Sequence, residues 1–125
     1  MQKESVTTPL VPTPTNPFSL AVKMKGFAFV SGQIGKGIDG KVKEGFAAQT
    51  RQAMENLKAI ITAAGSSMDD VVKVNIYVTD ISKMGELNAI YREYFSEPLP
   101  ARATVEVTGL GLMAEVEIDA IVACD

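Results

Sequence analysis

Hydrophobic and polar residues alternate along this chain in two rhythms, and the rhythm changes mark its elements. Over residues 71–79, Val72, Val74, Ile76 and Val78 fall on one side of an extended segment, while Val71, Lys73, Asn75, Tyr77 and Thr79 fall on the other. That period of two predicts a half-buried strand. The same alternation predicts a strand over 103–108, where Ala103, Val105 and Val107 interleave with Thr104, Glu106 and Thr108, and a last strand over about 113–123. Near the start, Leu20 and Val22 alternate with Ala21 and Lys23, a turn falls at Lys25-Gly26, and Phe27 to Ser31 runs apolar, which predicts a hairpin.

Elsewhere the period lengthens to that of a helix. Phe46, Ala53, Met54, Leu57, Ile60, Ile61 and Ala64 recur at three- and four-residue spacing, and Gly65 stands where a left-handed cap belongs. A second helix is predicted from Asp80 or Ser82, either of which can cap it, through Phe95, with Met84, Leu87, Tyr91, Tyr94 and Phe95 as its apolar stripe. Residues 1–17 hold Pro9, Pro12, Pro14 and Pro17 and read as an extended arm on a single domain of 125 residues.

The predicted order is β-β-α-β-α-β-β. Strand, helix and strand over 71–108 fit a right-handed parallel crossover. Two amphipathic helices cover one face of a sheet of about five strands. The other face is then wet or meets a second subunit, and Tyr77 and Ile121 on it favour an oligomer packed sheet to sheet.

Composition narrows the chemistry. The net charge is −3, from 12 basic and 15 acidic residues, with no basic run, which argues against non-specific nucleic-acid binding. The one cysteine, Cys124, has no partner for an internal disulfide and suits a reducing compartment. There is no histidine, so Ser-His and Cys-His pairs and the usual zinc ligand sets are excluded. Acid–base work falls to carboxylates, lysine, tyrosine or water. Without an apolar secretory leader or a membrane-length stretch, a cytoplasmic location without membrane contact is expected.

Three features could carry chemistry. Glu115, Glu117 and Asp119 alternate with Ala114, Val116, Ile118, Ala120 and Val122 on the last strand, so three like charges share one side. They are either a solvated face or a cleft in which one carboxylate meets a cation. Arg102 follows "EPLPA" at the mouth of a strand. It is either a structural ion-pair partner or a planar fork for a substrate carboxylate. A simple hairpin of 103–108 with 113–123 would bring Arg102 near Asp119 and Thr104 near Glu117; a parallel crossover would separate these strands and leave a second subunit to supply one partner. "SGQIG" at 31–35 is either a turn or a place where glycine lets a ligand approach the backbone, and it lacks the ending of a phosphate loop.

Taken in order, "FVSGQIG", "AAQTRQAMENLKAII", "AAGSSMDDVVKVNIYVTD", "LNAIYREYF", "PARATVEV" and "VEIDAIV" make a specific combination. From about Phe18 to Val122 the chain resembles the reactive-intermediate deaminase (Rid, YjgF) family, also called L-PSP endoribonuclease-like. That resemblance implies a chorismate-mutase-like α+β fold, a mixed sheet covered on one face by two helices, and a homotrimer with sheets facing inward and clefts between subunits. It implies hydrolysis of 2-imino acids (2-iminobutanoate and 2-iminopropanoate) to 2-oxo acids and ammonia, with no cofactor and no metal. Residue by residue, Arg102 matches the arginine that clamps the substrate carboxylate and Glu117 the acid that positions water. Gly32 and Thr104 match positions whose backbone lies near the ligand, and Ser31 and Asn88 match polar residues of the cleft. Phe18 stands where a tyrosine is common, and Thr104 where a cysteine is common. The alternatives are the endoribonuclease and translation-inhibitor activity of the family's older description, and a non-catalytic trimer that binds small carboxylates.

Overall fold

The computed structural model describes residues 2–125. Its elements run β1 (Glu4–Val6), β2 (Ala21–Met24), β3 (Gly26–Ile34), α1 (Phe46–Ala63), β4 (Val71–Val78), α2 (Met84–Tyr94), β5 (Ala101–Glu106) and β6 (Val116–Cys124). They form one mixed six-stranded sheet in the order β1-β2-β3-β6-β4-β5 with both helices on one face, an α+β architecture.

The hairpin forms as its pattern predicts. Met24 pairs with Phe27 across Lys25-Gly26, and Gly26 takes the positive φ of 98° that the tight turn needs. The apolar stripe of α1 is wholly buried: Phe46, Ala53, Met54, Leu57, Ile60, Ile61 and Ala64 lie against the sheet. At its end Gly65 has φ 88° and the Ser66 N–H donates to the Ile61 carbonyl, a left-handed cap. The Asp80 carboxylate accepts from the Ser82 N–H at 3.0 Å and starts the turn that leads into α2. On β6, Val116, Ile118, Ala120 and Val122 form the buried side against α1, continuing from buried Ala114 just before the strand.

Four details depart from the sequence reading. The sheet has six strands rather than about five, because the proline-rich arm contributes β1, paired with β2 through Glu4↔Lys23 and Val6↔Ala21. Val71, not Val72, points into the core. A bulge between Val71 and Lys73 puts one extra residue opposite β6 and turns Val72 outward, so the alternation starts one residue late. The strand expected over 103–108 begins at Ala101, so Arg102 lies within it rather than ahead of it. The hairpin option for the last two strands is excluded: β6 inserts between β3 and β4, antiparallel to both, while β5 lies parallel to β4 at the sheet edge. The crossover reading is the correct one.

The face without helices is more apolar than Tyr77 and Ile121 alone indicate. Phe27 and Phe29 of β3 and Val105 of β5 are also exposed there, each between 44% and 48% accessible. No helix among the described residues is long and apolar enough to cross a membrane.

Candidate active site

Register decides which side chains can meet. Paired residues of neighbouring strands project to the same face of a sheet, and consecutive residues to opposite faces. Arg102 pairs with Val74, and Thr104 with Ile76, both core residues, so these two side chains stand on the helix-covered face. Glu117 pairs with Tyr77, which pairs with Val105, so Glu117 stands on the open face. Within one chain the guanidinium and the carboxylate are on opposite sides of the sheet.

On the helix-covered side, α2 supplies the setting for Arg102. Met84, Asn88 and Tyr91 lie four and three residues apart and form one stripe of that helix. The Arg102 Nη2 donates to Asn88 Oδ1 at 2.8 Å and to the Met84 thioether at 3.3 Å. The Tyr91 ring lies under the guanidinium, 4.7 Å from Cζ to ring centroid, a cation–π contact. Tyr91 in turn packs on Phe95 with centroids 4.6 Å apart. Nη1 and Nε find no acceptor, and Arg102 forms no ion pair, among the described residues. Nearby, Thr104 Oγ1 and Tyr91 Oη are buried without hydrogen-bond partners among the described residues. Burial pushes the Tyr91 phenol up, and Arg102 opposes this.

On the open side, the three carboxylates of "EVEID" have three different fates. Glu115 precedes β6 and turns back to the helices, where it meets Lys83 Nζ at 3.4 Å and the Gln49 amide at 3.3 Å. The Gln49 side-chain Oε1 accepts from the Glu115 N–H at 2.8 Å and fixes this turn. Asp119 accepts on both oxygens, from Asn75 Nδ2 at 2.9 Å and from the Tyr77 hydroxyl at 3.1 Å. Glu117 alone has no side-chain hydrogen bond or ion pair among the described residues. The expected row of three is thus one free, half-buried carboxylate beside one tethered neighbour. Burial first, and the charge of Asp119 second, hold Glu117 above the usual carboxylate range.

Glu117 lies against "SGQ". A bulge between Val30 and Gln33 puts an extra residue in β3 at Ser31-Gly32, opposite β6. A Cβ added at Gly32 would overlap the Glu117 Oε2 and stand 2.8 Å from its carboxyl carbon, so only glycine leaves room for the carboxylate. The Ser31 hydroxyl donates to the Ser19 carbonyl at 2.6 Å and is spent on holding the arm rather than offered to the cleft. A cleft of about 490 Å³ opens over this point, lined among others by Phe18, Ser31, Gly32, Lys36, Leu112 and Glu117.

The structure therefore brings Phe18, Ser31, Gly32 and Glu117 together in one cleft, and Arg102, Asn88 and Thr104 together at the β5 edge. It does not bring the two groups together in one chain. Sequence reasoning missed Met84 and Tyr91 as the bed of Arg102, because they read simply as apolar stripe. It also missed Asn56, which lines the cleft and whose Nδ2 donates to the Lys36 carbonyl at 2.8 Å, tying the glycine-rich loop to α1. The available signal was a polar side chain on the apolar face of a helix, between Ala53 and Ile60.

Comparison with known proteins places this chain. Residues 8–124 match the family model described as Endoribonuclease L-PSP. A RutC family protein of Aquifex aeolicus is 48% identical over 119 residues, covering 93% of this chain and 95% of that one. A protein of Dermatophagoides farinae named 2-iminobutanoate/2-iminopropanoate deaminase is 38% identical over 126 residues, covering 96% and 95%. The crystal structure of RidA from the Antarctic bacterium Psychrobacter sp. PAMC 21119 superposes with a TM-score of 0.94 at 40% identity, covering 97% of this chain and 99% of that one. The chain belongs to the Rid/YjgF (L-PSP endoribonuclease) family, a family in which some members carry the names of imine deaminases.

Proposed function

We propose that this protein hydrolyses 2-imino acids to 2-oxo acids and ammonia, in clefts completed by a second copy of the chain in a homotrimer. One observation carries the reading: Arg102 is held on three sides by α2 and yet has no anion of its own. A guanidinium restrained in this way, at the unpaired edge of a sheet, suits a small carboxylate. The substrate oxygen would displace the weak thioether acceptor, while Asn88 keeps its hold on Nη2. Asn88 thus serves the arginine rather than the substrate.

Glu117 supplies the proton chemistry. Water adds to the imine carbon and loses a proton to the carboxylate. The carboxyl then returns its proton to the nitrogen of the resulting carbinolamine. The carbon–nitrogen bond breaks as ammonia leaves, and the hydroxyl oxygen gives its proton back to the carboxylate, or to ammonia as ammonium, as the carbonyl of the 2-oxo acid forms. An imine protonated on nitrogen is already a strong electrophile, so orientation and proton transfer suffice. Because Arg102 and Glu117 lie on opposite faces, the arginine edge of one subunit has to meet the Phe18–Gly32–Glu117 cleft of the next. The exposed Phe27, Phe29 and Val105 on the open face supply an apolar surface for that assembly. Binding small 2-imino and 2-oxo acids requires no cofactor from this residue set.

The test is a coupled assay. An amino-acid oxidase generates imines from a panel of amino acids, semicarbazide traps them, and the protein is expected to suppress the trapped signal. Undiminished suppression by Arg102→Ala would refute the clamp. Equilibrium sedimentation is expected to give three chains per particle.

A further inference from the structure

Glu117 and Asp119 stand two positions apart on β6, on the same open face, and the protein treats them oppositely. Tyr77 is the register partner of Glu117, but its hydroxyl reaches along the sheet to Asp119. Asn75 is the register partner of Asp119 and donates to its other oxygen. The two uncharged side-chain donors of β4 on this face, Asn75 and Tyr77, both go to Asp119 and neither to Glu117.

We propose that Asp119 is a positioning residue for the reaction: tethered by Asn75 and Tyr77, its fixed charge sets how readily the neighbouring Glu117 carboxyl takes up and returns a proton. This rests on the reading of Glu117 given above. Two carboxylates two residues apart on a strand are roughly 7 Å apart at the backbone, close enough for one charge to disfavour the other where water is partly excluded. The tether holds Asp119 at its own position and occupies the Tyr77 hydroxyl, which would otherwise stabilise ionised Glu117. In the assembly proposed above, Arg102 of the partner subunit brings a positive charge that opposes this. Within one chain the remaining groups around Glu117 do not offset it. On β3 it faces Gly32 and pairs with Ile34, on β4 it faces Tyr77, and the next strand presents Val105. Lys73 lies farther along β4, paired with Ile121. Lys36 lines the same cleft without an ion pair to Glu117 among the described residues. Burial raises the Tyr77 phenol, as does its bond to Asp119, so it stays a donor through the neutral range.

The sign follows. The general base works ionised, so kcat/KM rises with pH through the Glu117 titration. Removing the Asp119 charge favours the ionised form and moves that acidic limb to lower pH. The experiment records pH–rate profiles with trapped imine, together with carbon-13 NMR titration of glutamate side-chain carboxyls, for the assembled wild type, Asp119→Asn, Asp119→Glu and Glu117→Gln. Loss of one raised titration in Glu117→Gln identifies the signal. Asp119→Asn is expected to shift that signal and the rate limb together to lower pH, and Asp119→Glu, which keeps the charge, to shift them less. An unmoved Glu117 signal in Asp119→Asn overturns the proposal and leaves the role of Glu117 standing. A rate limb that persists in Glu117→Gln overturns the role of Glu117 itself. If Asp119→Asn lowers activity only by dissociating the assembly, with the NMR titration unchanged, Asp119 is structural and the proposal fails.

Discussion

The β5 edge and the β6 face prepare their key residues in opposite ways. Arg102 is surrounded: an amide, a thioether and an aromatic ring from one helical stripe fix its guanidinium. Glu117 is set apart: Gln49 and Lys83 go to Glu115, Asn75 and Tyr77 go to Asp119, and glycine clears the space beside it. A cation that must hold a ligand in one orientation gains from contacts that restrict it. A carboxyl that must exchange a proton gains from having no fixed partner, because any strong donor would hold it ionised.

The largest expected effect falls on the isolated carboxyl. Glu117→Gln removes proton transfer and leaves the shape, so kcat is expected to drop about 10²–10⁴-fold with substrate affinity nearly kept. Stopped-flow loss of imine checks this, and a fall in affinity with kcat intact would reverse the two assigned roles. Arg102→Ala is next. Truncating one side of a desolvated charge pair costs about 2–5 kcal/mol, so kcat/KM is expected to fall roughly 30- to 4000-fold. Arg102→Lys keeps the charge but not the planar donor set, and should recover only part of the loss.

Gly32→Ala tests the space beside Glu117 directly. Its methyl would occupy the position of the carboxylate, so Glu117 must rotate away. Activity should fall by roughly tenfold or more, in line with about 1–3 kcal/mol for an off-rotamer or overpacked side chain, while thermal melting shows a folded protein. Full activity in this variant would mean that the position of Glu117 is not restricted by β3.

How much of this arrangement could be read beforehand depends on the range of the interaction. The α1 stripe, the β4 alternation from Lys73 onward and the Lys25-Gly26 turn are local patterns, and the chain forms them where they were expected. The insertion of β6 between β3 and β4 is a pairing across the whole chain, and no local pattern encodes it. Single-residue events also escape periodicity. The bulge at Val71–Lys73 exchanges Val71 for Val72, and the one at Ser31-Gly32 brings the glycine against Glu117. The carboxylate row was legible as a row. Its division into a paired, a tethered and a free member depends on Gln49 of α1, Lys83 in the turn before α2, and Asn75 and Tyr77 of β4.

The smallest effects separate the ring of Tyr91 from its hydroxyl. The ring lies under Arg102, and an exposed to half-buried cation–π contact contributes about 0.5–2 kcal/mol. Tyr91→Leu keeps an apolar side chain but removes that face, so Arg102 should wander and KM rise by about 2- to 30-fold, with kcat less affected. The hydroxyl is different. It is buried with no partner among the described residues, so folding strips its water and gives nothing back. Tyr91→Phe removes the unpaired group and keeps the ring on Phe95. Its stability should therefore stay level or rise by up to about 1 kcal/mol, read as urea midpoint at unchanged slope. A marked loss of stability would show that the phenol oxygen has a partner in the assembled protein, and would place the support of Arg102 at a subunit contact rather than within α2 alone.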